Sequence, residues 1–201
     1  MLKTIKENIN LYIFTIKEAY AQRYVLYEYM INKDCQLNNI LDLDIDKIKE
    51  KGFSYLVLDF DGVLSGYNHT KPYPKVEIWL NKSISTLGKN HIFILSNKKK
   101  SSRLSYIKEK YPSIIFIDNK KVKPYANDLK DVIKKYDVNK KCVLLLDDRL
   151  LTGILLSAII GIKAKFVTKP FVSWKKHPIY ELYFFFIRQL ELIMCYIFRI
   201  I

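Results

Sequence analysis

The chain has 201 residues, with 34 Lys and Arg against 20 Asp and Glu, which gives a formal net charge of +14. This length is typical of one domain, and no repeat, low-complexity tract or Pro/Gly linker divides the chain. The three cysteines lack paired metal-ligand spacing, and their odd number in apolar contexts indicates reduced core residues rather than a disulfide scaffold. The positive charge favours anionic partners, although biased residue usage, rich in Lys, Ile, Asn and Tyr, also produces such a charge.

Residues 1–40 are predicted to form a helical N-terminal extension. Its charged residues lie mostly on one helical side, and apolar and aromatic residues cover the other sides. Charges recur every few residues, so the segment lacks the continuous apolar core of a secretory leader. Packing on the following domain and contact with a membrane are both open for this extension.

The first predicted strand runs into two acidic residues, Asp59 and Asp61, and then into Gly62. A short all-apolar run of this kind is typical of a strand buried on both faces, and open α/β sheets bind ligands at the carboxyl ends of their strands. One carboxylate can attack as a nucleophile while the other moves a proton. Two like charges so close favour a hard cation with oxygen ligands, and magnesium fits best. An ordinary strand-to-loop turn uses the same residue types.

Polar side chains also follow the next two predicted strands. The second strand ends at Ser96 and Asn97, whose hydroxyl and amide groups can donate to a phosphoryl oxygen. The third is followed by Lys123 and Pro124, and Pro124 favours the first turn of a helix. Lys123 is therefore predicted to be a fixed cation at the mouth of that helix.

A further acidic site, Asp147 and Asp148, ends the fourth predicted strand. A hydroxyl, a lysine and a further acid thus leave separate strands at one sheet edge, and phosphoryl transfer to a carboxylate requires these groups. The predicted fold class is α/β, a three-layer Rossmann-like fold with a central parallel sheet of about five strands and helices on both faces. The predicted strands are 55–59, 91–95, 114–117, 143–147 and 164–167.

The spacing of these motifs leaves no room for a cap domain. Asp59 and Ser96 are 37 positions apart, Ser96 and Lys123 are 27 apart, and a helix plus a strand fills most of each interval. Pro74 is predicted to begin one such helix, and a helix at 150–160 is predicted to close the metal edge. Without a cap the mouth of the site is expected to be open, which suits a phosphate on a bulky substrate.

Residues 179–201 follow the predicted catalytic domain, 41–178, and are predicted to form an apolar amphipathic C-terminal helix. Its charged residues are Glu181, Arg188, Glu191 and Arg199. They fall within about a quarter of the helix circumference, which leaves a wide apolar face. Charges near the middle argue against a membrane-spanning helix, so an interfacial helix or a surface for a protein partner is expected.

The four motifs, in this order and over roughly residues 40–192, resemble the haloacid dehalogenase (HAD) superfamily of phosphatases. Within it the chain is most similar to the capless IIIA-type branch that contains the bacterial YqeG-type proteins and the mitochondrial phosphatidylglycerophosphate phosphatases. Segments 43–52 and 148–152 carry this closer resemblance.

The resemblance implies a role for each motif residue. Asp59 would be the nucleophile that forms an aspartyl-phosphate, and Asp61 the general acid that then activates water. Ser96, Asn97 and Lys123 would bind the phosphate. The expected magnesium ligands are Asp59, Asp61 and Asp148, with Asp147 as a further candidate.

The resemblance is incomplete at two positions near the metal site. Members of this branch usually carry a Gly-Asp pair and another acid five residues later, whereas this chain has Asp147-Asp148 and then Gly153. Loss of that acid predicts weaker metal binding, which Asp147 can offset. A catalytically silent HAD-fold scaffold that binds a membrane or a protein partner is therefore an alternative.

The function implied by the resemblance is a magnesium-dependent phosphatase of phospholipid synthesis, with phosphatidylglycerophosphate as the best single substrate. A basic run, Lys98 to Lys100, directly follows Ser96 and Asn97 and predicts positive charge at the catalytic edge. The expected partner is a phosphorylated lipid headgroup, and the expected location is cytoplasmic with peripheral membrane contact. A protein or nucleic-acid phosphatase is a further alternative, and nucleic acid is disfavoured because no stacking aromatic motif accompanies the basic run.

Overall fold

A parallel sheet of six strands forms the centre of the described residues. The structure is a computed structural model that describes residues 2–98, 101–117 and 120–201. The strands are β1 (Gln36–Leu37), β2 (Tyr55–Leu58), β3 (Ile92–Ile94), β4 (Ile114–Phe116), β5 (Val143–Asp147) and β6 (Lys163–Val167). They lie in the order β1-β6-β5-β2-β3-β4, and every neighbouring pair is parallel.

Helices connect the strands and extend the chain at both ends. They are α1 (Leu2–Ala21), α2 (Arg23–Ile31), α3 (Ile45–Glu50), α4 (Pro74–Leu87), α5 (Ser101–Lys110), α6 (Asn127–Lys135), α7 (Leu155–Ile160) and α8 (Pro178–Ile200). A π-helical turn, Leu150–Ile154, leads directly into α7.

Successive residues of the strands point into two cores, one on each face of the sheet. On β2, Val57 belongs to the core that also holds residues of α1, α2, α6, α7 and α8. Leu56 and Leu58 belong to the other core, which holds residues of α3, α4 and α5. Helices therefore cover both faces, as all-apolar strands require, and the predicted three-layer α/β fold is confirmed.

The position of β2 creates the crevice where ligands bind in open α/β sheets. Leu58 pairs with Ile94 of β3 on one side and with Leu146 of β5 on the other. The chain leaves β2 towards β3 but leaves β5 towards β6, so the two connections diverge between β2 and β5. The carboxyl ends of these two strands therefore form the switch point of the sheet.

All five predicted strands are present, and their ends differ from the prediction by at most one residue. The sixth strand, β1, was not predicted because its two residues are too few to show a pattern, and Gln36 is held at the sheet edge by pairing with Phe166. The helix at Pro74 begins as predicted. The helix predicted at 150–160 is confirmed, with its first turn in π-helical form.

The prediction that a helix begins at Pro124 is wrong, because α6 begins at Asn127. Before α6 the chain makes a turn, in which the Tyr125 N–H donates to the Val122 carbonyl at 3.1 Å. Lys123 lies in this turn rather than at a helix end. Side-chain contacts, and not a helix terminus, therefore fix its position.

The helical ends of the chain share a core with the sheet. Tyr29 of α2 accepts a hydrogen bond from the Ala164 N–H of β6 at 2.9 Å. Ala19 of α1 and Cys195 of α8 are fully buried in the same core. This packing supports the alternative in which the N-terminal extension packs on the domain that follows it.

The division into 1–40, 41–178 and 179–201 stays a prediction, and residues from all three segments contribute to one core. None of the helices among the described residues combines the length and the apolar character that crossing a bilayer requires.

Candidate active site

Three buried carboxylates meet at the switch point of the sheet. Asp59 directly follows β2, Asp147 is the last residue of β5, and Asp148 follows it. One carboxylate oxygen from each lies within 4.8 Å of the other two, and all three residues are buried. Hard oxygen donors in this number suit a magnesium ion, which usually takes its remaining ligands from water and phosphate. The residues present therefore fit the cation predicted from the sequence.

Lys123 lies between two of these acids. Its Nζ is 2.9 Å from Oδ1 of Asp59 and 2.5 Å from Oδ2 of Asp147. Burial alone would lower the pKa of Lys123, but the Asp147 and Asp59 carboxylates outweigh burial and raise it. The Lys123 backbone N–H also donates to Oδ1 of Asn97 at 2.6 Å, which ties the turn to the end of β3. A charged ammonium is therefore held beside the predicted nucleophile.

The electrostatics of the cluster favour a bound cation. Burial raises the pKa of Asp59 to about 8, with Lys123 opposing this rise and the other acids adding to it. Burial likewise raises the pKa of Asp148 to about 6, and Arg188 opposes this rise. Asp59 and Asp148 thus hold their protons more tightly than exposed carboxylates do. A divalent cation would compensate their charge and keep them ionised.

Ser96 and Asn97 reach the same pocket from the end of β3. Ser96 is buried, and its Oγ accepts hydrogen bonds from Nη1 of Arg103 at 3.0 Å and from the Lys98 N–H at 3.3 Å. The side chain of Lys98 donates to the Tyr67 hydroxyl at 3.0 Å. Lys99 and Lys100 of the predicted basic run lie outside the described residues.

The carboxylate of Asp61 is bound by Arg103 rather than by the acid cluster. Nη2 of Arg103 lies 2.8 Å from Oδ1 of Asp61, and Nη1 lies 3.0 Å from Oδ2. The Asn68 N–H also donates to Oδ1 of Asp61, at 3.0 Å. Asp61 therefore lines the pocket as predicted, but its carboxylate is not one of the three that come together among the described residues.

Arg103 is a site residue that sequence analysis missed. Its guanidinium is fully buried, and besides Asp61 and Ser96 it donates to the His69 carbonyl, through Nε at 3.2 Å and Nη2 at 2.9 Å. It thereby joins the loop after β2 to the end of β3. In the sequence Arg103 is one basic residue among many, so no local signal distinguishes it.

The two departures from the expected motif, Gly153 and Asp147, are sterically linked. The Asp147 carboxylate fills the space that a side chain at position 153 would need. A Cβ placed on Gly153 would overlap the Asp147 carboxylate. An acid at position 153, which the resemblance leads one to expect, is therefore sterically incompatible with Asp147 as it stands here. Asp147 instead brings a carboxylate to this space from the strand end. Gly62 is also constrained, because its φ is +89° and a Cβ there would lie 2.6 Å from Oδ2 of Asp148.

The C-terminal helix α8 forms one side of the pocket. The cavity has a volume of about 310 Å³, and Phe184 and Arg188 of α8 line it together with Tyr67. The rings of Tyr67 and Phe184 lie 4.6 Å apart. Arg149, which follows the acid cluster, forms an ion pair with Glu191 of α8. The expected open mouth is thus bounded on one side by a helix to which the sequence analysis gave no part in the site.

A parallel α/β sheet with buried acids and a buried lysine at its switch point is typical of a HAD-like protein. The family model described as mitochondrial PGP phosphatase matches residues 19–172, more than half of the chain, and the chain belongs to this family. It is accordingly a phosphatase with a phosphorylated substrate and a role in phospholipid synthesis. The predicted family is therefore confirmed. Comparison with curated proteins and with solved structures gives no match.

Proposed function

We propose that the chain is a magnesium-dependent phosphomonoesterase that acts through Asp59, with phosphatidylglycerophosphate as its substrate. The observation that carries this proposal is the buried pair of Asp59 and Lys123 beside Asp147 and Asp148 at the switch point. A lysine that neutralises the nucleophile and the incoming phosphate lowers the electrostatic barrier to attack by one anion on another.

In the proposed reaction, an oxygen of Asp59 attacks phosphorus and the ester bond to the leaving oxygen breaks. Asp61 supplies the proton that the leaving oxygen takes up. Water then attacks the aspartyl-phosphate, Asp61 accepts its proton, and phosphate leaves with Asp59 restored. Because Arg103 binds both oxygens of Asp61, transfer from Asp61 requires one oxygen to leave the guanidinium.

The phosphate is proposed to be bound by Ser96, Asn97 and Lys123, which all line the pocket. Asp59 and Asp148 would hold magnesium, with Asp147 as a third carboxylate in reach and Asp61 as the other predicted ligand. When bound, magnesium supplies positive charge that offsets the charge of the carboxylates and of the phosphoryl oxygens.

A lipid substrate is supported by the family and by the surface around the pocket. The outer face of α8 exposes large apolar side chains, among them Ile179, Tyr183, Phe186, Leu190 and Ile193. Exposed apolar surface on this scale marks an interaction site, and peripheral membrane contact would bring the pocket close to lipid headgroups. The net charge of +14 favours an anionic membrane.

The test is phosphate release from phosphatidylglycerophosphate in detergent micelles, with and without magnesium. Wild type is expected to release phosphate only with the cation, and Asp59→Asn to abolish release while circular dichroism shows an unchanged fold. Phosphate release from a nucleotide or a phosphoprotein, with none from the lipid, would overturn the substrate assignment.

A catalytically silent scaffold is the competing function, and Gly153 was its main support. Because the Asp147 carboxylate occupies the space beside Gly153, the acid cluster keeps three carboxylates without an acid at that position. Saturable magnesium binding that Asp148→Asn removes would argue against the scaffold, and no binding by wild type would argue for it.

A further inference from the structure

Helix α8 lies beyond residue 172, where the family match ends, yet it contributes directly to the pocket. Glu181 and Glu191 of α8 are both buried. Glu181 accepts hydrogen bonds from the backbone N–H groups of Ser173 at 2.7 Å and Tyr67 at 3.2 Å. A long helix is therefore fixed against the pocket by polar groups and not by apolar packing alone.

The inward-facing residues of α8 follow helical spacing. Positions three and four apart share a helix face, and this face carries Glu181, Phe184, Arg188, Glu191 and Cys195. Three of the four charges of the C-terminal segment thus point towards the catalytic domain, while Arg199 is exposed. Charged groups in an otherwise apolar helix are expensive to bury unless each has a partner, so these partners identify what α8 is built to contact.

Arg188 binds a single oxygen of Asp148. Its Nε lies 2.7 Å and its Nη2 lies 2.5 Å from Oδ2 of Asp148. Asp148 is almost fully buried and belongs to the cluster that fits the cation. Metal ligands in proteins are commonly oriented by a second group that bonds the part of the ligand not used by the metal.

We propose that Arg188 is a positioning residue, which holds Oδ2 of Asp148 so that the other carboxylate oxygen is presented to magnesium. The proposal rests on the magnesium-dependent activity proposed above. It assigns α8 a part in cation binding at a site otherwise made by the sheet and its loops. A competing interpretation is that Arg188 occupies the place of the cation. This interpretation predicts that removal of Arg188 would raise the affinity for magnesium, whereas positioning predicts that it would lower it.

The first experiment measures the binding of magnesium and of manganese to the full chain by isothermal titration calorimetry, in the absence of substrate. Arg188→Gln is expected to weaken binding about 10- to 100-fold, the usual loss when a group that orients a metal ligand is removed. Arg199→Gln, which removes the same charge from the exposed part of the same helix, is the matched control and is expected to bind like wild type. Unchanged or tighter binding by Arg188→Gln would overturn the proposal.

Arg188→Lys provides a second readout and covers the case in which the glutamine variant does not fold. A single ammonium keeps the charge but cannot place two nitrogens on Oδ2 of Asp148, so an intermediate loss of affinity is expected. Wild-type affinity in this variant would show that charge alone suffices and would reject positioning.

Kinetics separate positioning from substrate binding. If Arg188 acts only through Asp148, raising magnesium to saturation is expected to restore most of the kcat of Arg188→Gln, with the KM for substrate close to wild type. A KM that stays raised at saturating magnesium would overturn the proposal and make Arg188 a substrate ligand. If wild type binds no divalent cation, the proposed magnesium-dependent function is itself wrong. If wild type binds magnesium and Arg188→Gln binds it equally well, only the role proposed for Arg188 is wrong.

Discussion

The two sides of the pocket are held by arginines in very different surroundings. On the side of β3 and α5, Arg103 is fully buried and bonds Asp61, Ser96 and a backbone carbonyl. On the side of α8, the Arg188 side chain is 18% exposed and bonds Asp148 from a helix whose outer face is open to solvent. The first arrangement is part of the folded core, whereas the second docks a peripheral helix. Removal of Arg103 is therefore expected to lower the stability of the fold, whereas removal of Arg188 is expected to impair mainly function.

The largest effect is expected for Arg103→Met. Removing the guanidinium leaves Asp61 as a partly buried carboxylate without its ion partner and leaves the His69 carbonyl without its donor. Because Arg103 is fully buried but the Asp61 side chain is 19% exposed, the expected loss is about 3 kcal/mol of unfolding free energy, the lower end for breaking a buried pair, measured by urea denaturation. Lys108→Met, which removes an exposed cation from the same helix α5, is the control and is expected to change stability by less than about 0.5 kcal/mol. Equal stability of the two variants would contradict the conclusion that the Arg103 side of the pocket is part of the folded core.

The next effect concerns the acid cluster between the two sides. Gly153→Asp is expected to lose about 1–3 kcal/mol of stability, because its side chain would overlap the Asp147 carboxylate. The double change Asp147→Gly with Gly153→Asp removes this overlap and is expected to recover most of the stability and the magnesium affinity. A double mutant no better than the sum of its single changes would show that the two positions do not share one space.

The pH dependence of magnesium binding tests the charge of the cluster. The folded-state pKa of Asp59, about 8, and that of Asp148, about 6, both lie above the ordinary value of 3.8. Without metal the folded state then binds more protons than the unfolded chain, so the contribution of these groups to stability falls as the pH rises from about 4 to about 8. Magnesium needs the ionised carboxylates, and its affinity is expected to rise over the same interval, by up to about tenfold per pH unit for each proton that it displaces. A magnesium-induced shift in Tm that is equal at about pH 5 and about pH 8 would contradict this account.

The smallest effect on folding, and a clear one on membrane contact, is expected on the outer face of α8. Phe186→Ser with Leu190→Ser changes two half-exposed side chains and is expected to alter stability by less than about 0.5 kcal/mol per site. Binding to anionic vesicles, measured by co-flotation, is expected to weaken about tenfold, because each side chain contributes apolar area to a membrane contact. Ile78→Ser on α4, on the opposite face of the sheet, is the control. Equal vesicle binding by the two variants would remove α8 from the membrane-contact proposal.

Residues at strand ends were predictable because their positions follow from local pattern. Apolar runs fixed β2 and β5, and the acids that follow them meet because parallel strands present their carboxyl ends at one edge. Asp59, Asp61 and Asp148 were therefore predicted together, with Asp147 as a further candidate; the structure brings Asp59, Asp147 and Asp148 together, whereas Arg103 binds Asp61. Lys123 was predicted in the right place for the wrong reason, since a turn and two acids position it rather than a helix terminus.

The sequence by itself determined the α/β class, the order of the strands that carry the chemistry, and the family, because each depends on short-range periodicity and on motif order. Only the tertiary structure decided which basic side chain pairs with which carboxylate. The partners of Arg103 and Arg188 lie about 40 positions away along the chain, and a basic residue has the same local appearance whether it faces water or a buried carboxylate. The docking of α8 likewise depends on long-range packing that selects one face of the helix, and this selection turned an apparently amphipathic tail into a side of the active-site pocket.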